Sequence, residues 1–229
     1  MIKMKPCSYE FLLDIKTSSN ERVILEHLLR SDLPVGEGEY LNLSAATMVF
    51  DLAGSSLSIR ERGSKEYFKN HQNIFRNLTK IIYDNHGIIE KFPGDGISMH
   101  FVNANSLEPF GAANCVRNAV TAATLIIDYL SQNEGLVSGF RLSLSYGDDT
   151  IAALIGGFEH EEWITIGHAV NVAHKLEKEI KARGCIFGMD ERCHEVFTEV
   201  FCNTSTHCFE MPEELKKQAS IEEFWYGVK

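Results

Sequence analysis

The chain of 229 residues contains no apolar run approaching the roughly 18 residues a helix needs to cross a bilayer. Its opening stretch, MIKMKPCSYEFLLDIK, interrupts each apolar segment with charge, so neither the core nor the cleavage site of a signal peptide is present. Cysteine pairing is missing too. The six cysteines, Cys7, Cys115, Cys185, Cys193, Cys202 and Cys208, show no CxxC and no regular framework, and free thiols in a reducing cytosol fit them. Cys193, His194, Cys202, His207 and Cys208 match no common zinc-ribbon or finger spacing; they read as thiols on a helix and a neighbouring strand. Basic charge is short, with 22 Lys and Arg against 32 Asp and Glu and a formal net charge of −10. Such a surface argues against tracking a nucleic-acid polymer, but one local basic pocket and a metal still hold a triphosphate. No repeat, low-complexity tract or Pro/Gly/Ser linker divides the chain. These absences leave one soluble, cytoplasmic globular domain with no membrane partner.

Residues 1–44 read as an N-terminal extension, with Ile24, Leu25, Leu28 and Leu29 on one side of a short helix from Glu21 to Arg30. Residues 45–229 carry the main domain. Ala46 to Asp51 has the composition of a buried strand, ended by Gly54-Ser55-Ser56. Lys65 to His86 places Tyr67, Phe68, His71, Ile74, Phe75, Leu78, Ile81 and Ile82 along one helical face, with Ser64 to cap it and Gly87 to stop it. Ile88–Phe92 and Ile97–Phe101 are strands about the turn Pro93-Gly94-Asp95-Gly96. A helix follows over Phe110–Leu130, then strands at Arg141–Tyr146, Thr150–Ile155 and Trp163–Ile166, and a helix over Gly167–Ala182. The order predicts an α+β fold with a ferredoxin-like βαββαβ core and appended strands. Helices on one face of such a sheet would leave the other for a partner.

In this arrangement the end of the first strand and the tip of the hairpin reach the same sheet edge, which brings Asp51 and Asp95 together. A lone D-x-x-G or G-D-G is usually a turn; the pair on these two elements is far more specific. Two carboxylates beside exposed backbone N–H groups suit hard divalent cations and phosphates, Mg²⁺ or Mn²⁺ in preference to zinc.

At these residues the chain resembles the class III adenylate/guanylate cyclase family. MVFDLAGSS is similar to its metal-binding strand and glycine turn, EKFPGDGISMHF to its second-metal hairpin, and WITIGHAVNVAHKLE to its strand-helix segment acting on the transition state. The three blocks span Met48 to Glu177. The resemblance implies a nucleotidyl cyclase that closes a nucleoside triphosphate into a 3′,5′-cyclic nucleotide with two metal ions. It also implies a homodimer with sites at the interface. Asp51, Asp95 and the carbonyl of Leu52 would bind the metals, and the N–H groups of Ala53, Gly54, Ser55 and Ser56 the triphosphate. From the other subunit, Lys91 would contact the base, Asn171 the ribose and Lys175 the transition state. Asn171 and Lys175, four apart on a helix, share a face independently of that likeness.

Three positions depart from the family pattern. Lys175 stands where the family has Arg and lacks the forked donor. Ile164 stands where a polar residue reads the purine edge, and Phe50 precedes the metal Asp where a small residue is usual. A bulky Phe50 at the site would shrink a base pocket, whereas strand alternation points it away from Asp51 into the core. With both aspartates kept and the purine reader lost, the narrower resemblance is to the stand-alone cyclases of Pycsar antiphage systems. These make cyclic UMP or CMP for a separate effector. Two rivals are a polymerase palm-like domain, opposed by the acidic balance, and a degenerate cyclase-homology regulator, opposed by Asp51 and Asp95.

Overall fold

A computed structural model describes residues 40–103, 111–133, 135, 137–157, 160–201, 204–216 and 224–229; the Glu21–Arg30 helix lies outside them. The elements, in order, are β1 (Leu41–Leu52), α1 (Ser55–Arg62), α2 (Ser64–Asp84), β2 (Ile88–Lys91), β3 (Gly96–Asn103), α3 (Gly111–Gln132), β4 (Phe140–Gly157) and β5 (His160–Ile166). Then come α4 (His168–Arg183), β6 (Phe187–Asp190), α5 (Glu191–Val200), β7 (His207–Glu210), α6 (Glu213–Lys216) and β8 (Phe224–Val228). The strands form one sheet in the order β2-β3-β1-β4-β6-β8-β7, with β5 paired to β4 beside that path. Only the β4–β6 pairing is parallel among the described pairs.

Alternation along β1 decides which side each residue serves. Ala46, Met48, Phe50 and Leu52 join Leu142, Leu144, Ile97 and Met99 in the main core, capped by Ile74, Leu78 and Ile82 of α2 and by Val116, Val120 and Ile126 of α3. Phe50 is fully buried there, edge-on to Phe75 and stacked on Phe140. The opposite side carries Thr47 and Asp51 of β1 with Arg141 and Ser143 of β4, paired Asp51 to Arg141 in register.

The expectation of helices on one face is corrected here. α4 lies across the second face, against β4 and β1, and Ser143 Oγ donates to the Ala173 carbonyl at 2.6 Å. Val172, Leu176 and Ile180 of α4 build a second core with Cys185, Met211, Leu215 and Trp225, so the chain's own C-terminal region covers part of that face.

Other boundaries moved for local reasons. Gly63, at φ 83°, precedes α2 in place of the predicted Ser64 cap, and Ser64 is already helical. The two strands expected at 141–146 and 150–155 are one, because β1 follows β4 through a bulge between Leu43 and Ala45. β1 begins at Leu41, inside the segment assigned by sequence to the extension. The Cys/His stretch is dispersed: Cys193 is buried, His194 stacks on Tyr226 with centroids 3.7 Å apart, and His207 and Cys208 are exposed on β7. Cys202 lies outside the described residues.

Candidate active site

Asp51 is held at the end of β1 by ladders on both sides, to Gly96 of β3 and Arg141 of β4. The approach of the hairpin depends on glycine. A Cβ on Gly96 would meet the Phe50 carbonyl oxygen at 2.7 Å, so a side chain there would push Asp95 away from Asp51. Gly94 takes φ 65° and the Gly96 N–H closes the turn on the Pro93 carbonyl at 3.0 Å. On the other side, Gly54 takes φ 78° and turns the chain directly from β1 into α1. Ser55, the first residue of α1, donates from its hydroxyl to Asp95 Oδ2 and lies 3.3 Å from the Leu52 carbonyl. One hydroxyl thus joins two of the three predicted metal-binding groups, with Asp51 beside them.

The charge balance at Asp51 is the main electrostatic feature. Arg141 Nη2 donates to Asp51 Oδ2 at 2.8 Å, and Arg141 Nε donates to Glu177 Oε1 of α4 at 2.9 Å. Even so, the Asp51 carboxyl sits above the ordinary range. Burial raises it most, Glu177 and Asp95 add repulsion, and Arg141 only partly offsets them. Asp51 shares one guanidinium with Glu177 and faces the charge of Asp95 as well, a setting that a further cation would stabilise. Among the described residues no three His, Cys, Asp or Glu side chains cluster as a metal site. Two carboxylates and a carbonyl oxygen fit a hard divalent cation that takes its remaining ligands from water or phosphate.

Ala53, Gly54, Ser55 and Ser56 are the residues predicted to meet phosphate. Helix geometry leaves the first N–H groups of α1 without an intrahelical acceptor, and Gly54, Ser55 and Ser56 stand there. Ala53 does not belong with them: its N–H donates to the Gly139 carbonyl at 2.9 Å. A cleft behind this turn is lined by Ser58, Arg62, Tyr67, Asn70, His71 and Ser138. His71 stacks on Phe75 at 3.8 Å; burial lowers its pKa and the charge of Asp95 opposes that shift.

Lys91, Asn171 and Lys175 belong to the second face and the helix that covers it, whereas Ile164 alternates on β5 with Trp163 and Thr165, which meet that face. Lys91 ends β2, 41% exposed, with Nζ 3.5 Å from Glu90 Oε1. Asn171 is exposed on α4 and Lys175 is half-buried one turn on. Ile164 is half-buried on β5, opposite Ala153 of β4. β5 is tied to β2, because the Thr165 N–H donates to Glu90 Oε1 at 3.0 Å. Desolvation lowers the pKa of His174, with the charges of Glu90 and Glu177 opposing the shift and those of Lys91 and His100 adding to it. Phe50 is removed from the substrate-facing set: its ring is fully buried on the opposite side of the sheet.

Sequence reasoning missed Arg141, Glu177, Glu90 and His71 as members of this region. Alternation at 141–146 already put Arg141 with the serines on the side away from the core, which was a usable signal. Nothing in the sequence marks Glu90 or His71.

No family model matches the chain, and no curated protein matches it by sequence. Solved structures do match. A bacterial light-regulated adenylyl cyclase superposes with a TM-score of 0.68 at 18% identity over 96% of this chain, which spans 65% of that one. The adenylyl cyclase CyaB from P. aeruginosa gives 0.62 at 16% identity, covering 83% of this chain and 96% of that one. A guanylyl cyclase domain of the RhoGC fusion protein from the aquatic fungus Blastocladiella emersonii, described as a non-canonical dimer, gives 0.58 at 14% identity, covering 83% and 98%. The chain therefore has the α+β fold of adenylyl and guanylyl cyclase domains. Among the described residues no helix is long and apolar enough to cross a membrane.

Proposed function

We propose that the protein is a nucleotidyl cyclase, converting a nucleoside triphosphate into a 3′,5′-cyclic nucleotide and pyrophosphate. The observation that carries this reading is that Ser55 at the start of α1 joins Asp95 to the Leu52 carbonyl, with the charge of Asp95 felt at Asp51, in a cyclase fold. Asp51, Leu52 and Asp95 would hold two Mg²⁺ or Mn²⁺ ions, which when bound neutralise phosphate charge and ease ionisation of the attacking hydroxyl.

The 3′-oxygen bonds to the α-phosphorus as its proton passes to water, the bond to the β-phosphate bridging oxygen breaks, and pyrophosphate leaves with that electron pair. The chain's own groups position and neutralise. The N–H groups of Gly54, Ser55 and Ser56 cradle the triphosphate. In the homodimer this reading requires, the second subunit supplies Lys91 to the base and Asn171 to the ribose. Lys175 answers the charge growing on the α-phosphate, as a point charge where a guanidinium fork would grip two oxygens.

A pyrimidine substrate, UTP or CTP, is the better fit. Ile164 has no group to hydrogen-bond a purine edge, and this rests on Ile164 alone now that Phe50 is in the core. Antiphage signalling through a separate effector follows only from the Pycsar likeness. The test is incubation of purified protein with Mn²⁺ and each of ATP, GTP, CTP and UTP, with product mass and pyrophosphate followed. Cyclic UMP or CMP is expected, and chelation of Mn²⁺ is expected to stop it. A cyclic purine would keep the cyclase reading and overturn the base assignment. No product from any of the four would favour a degenerate regulator.

A further inference from the structure

Glu90 has a side chain 5% exposed and touches two other strands, β3 and β5. Its Oε1 accepts the Thr165 N–H of β5 at 3.0 Å; its Oε2 accepts the Ser98 hydroxyl of β3 at 2.9 Å and faces His100 Nε2 at 3.2 Å. His100 Nε2 also lies 3.1 Å from Thr165 Oγ1, and its Nδ1 lies 3.0 Å from Thr47 Oγ1 of β1. Burial alone would raise the Glu90 carboxyl. The hydrogen bond and charge of His100, with Ser98 and Lys91, outweigh it and hold the group at about 2. The carboxylate is therefore both charged and immobile.

Its remaining neighbour is different in kind. Lys91 is 41% exposed, and an ammonium on a flexible four-carbon stem goes where its partner holds it. The fixed carboxylate beside Lys91 comes from its own strand, with Lys91 Nζ 3.5 Å from Glu90 Oε1. The same carboxylate grips the backbone N–H of Thr165, the residue after Ile164, and so ties β5 to β2.

We infer that Glu90 is the positioning residue for base selection: it aims Lys91 at the base and ties β5 to β2 at Thr165. The inference rests on the cyclase reading for what Lys91 touches. Its test is the base preference of wild type, Glu90→Gln, Lys91→Ala and the double variant. Preference is measured in turnover with Mn²⁺ and in equilibrium binding of the four α,β-methylene triphosphates, which cannot release pyrophosphate.

Glu90→Gln keeps one acceptor oxygen for the Thr165 N–H, leaves its NH2 to donate to a turned Ser98 hydroxyl, and removes the charge that holds Lys91. Expected is a fall of about tenfold in preference for the best base over the worst, from KM and not kcat, with the same fall in Lys91→Ala and no further fall in the double variant. Glu90→Asp keeps the charge opposite His100 while withdrawing it from Lys91, so a folded variant with weakened preference is expected even where Glu90→Gln unfolds. Unchanged preference in folded Glu90 variants, or additive effects in the double variant, would overturn the inference and leave the cyclase reading standing. A wild type that neither binds nor cyclises any of the four would remove both.

Discussion

Asp51 and Glu90 are carboxylates of adjoining parts of one sheet, both turned away from the main core, and their surroundings treat them oppositely. Asp51 sits above its ordinary range because burial and the repulsion of Glu177 and Asp95 exceed what Arg141 returns. Glu90 is more enclosed yet lies at about 2, since His100, Ser98 and Lys91 more than offset its burial. The difference shows that burial alone does not set a carboxylate's charge state; the count of donors around it does. A carboxylate that shares its one guanidinium with a second acid and faces a third gains from a cation that arrives from outside. One that is fully partnered serves as a fixed point tying the neighbouring strands together.

The largest effect that tests this contrast is on chemistry. Asp51→Asn keeps the size and the ladder position but removes the charge left for the cation. Turnover is expected to fall at least about a hundredfold, the scale seen when one preorganised electrostatic group is lost. The unfolding midpoint should hold steady or rise, because a crowded charge has gone. A variant that keeps full turnover would end the metal assignment at Asp51. The counterpart on the other side is His100→Leu, which leaves Glu90 buried and charged without its chief partner. Breaking a buried pair in this way costs about 3–5 kcal/mol, measured as the shift in urea unfolding. A loss below about 1 kcal/mol would place His100 with ordinary surface ion pairs and remove the contrast.

How much of this was legible before the structure follows from the same contrast. Asp51 and Asp95 stood out because their elements are strongly patterned: an apolar strand, a glycine turn and a hairpin with a fixed tip. The βαββαβ order was readable for the same reason. Glu90 was not readable. Its partners Ser98, His100 and Thr165 come from β3 and β5, and nothing local to Ile88–Lys91 announces a carboxylate bonded to groups 8 to 75 residues away. α1 was hidden as well, having no buried residue and hence no apolar period to detect. The covering of the second face by α4 was missed because its partners Met211, Leu215 and Trp225 lie in short C-terminal elements with little pattern of their own.

The smallest predicted effect is the most discriminating, because it requires the two carboxylates to act with opposite sign. Glu90 is lowered from 4.5 to about 2, so its contribution to stability is complete above about pH 4.5 and is lost as the pH falls toward 2. The contribution is at most about 3 kcal/mol, taking 1.36 kcal/mol per pH unit. Asp51 is raised from 3.8, so its contribution is complete below 3.8 and is lost as the pH rises through its folded value. Urea midpoints between pH 7 and 2.5 therefore separate them. Glu90→Gln should flatten the acid loss seen in wild type. Asp51→Asn should steepen it, because the compensating gain on protonating Asp51 disappears. Parallel curves for wild type and both variants would mean that neither environment differs from the unfolded chain, and the distinction between a ready ligand and a fixed point would fail together with them.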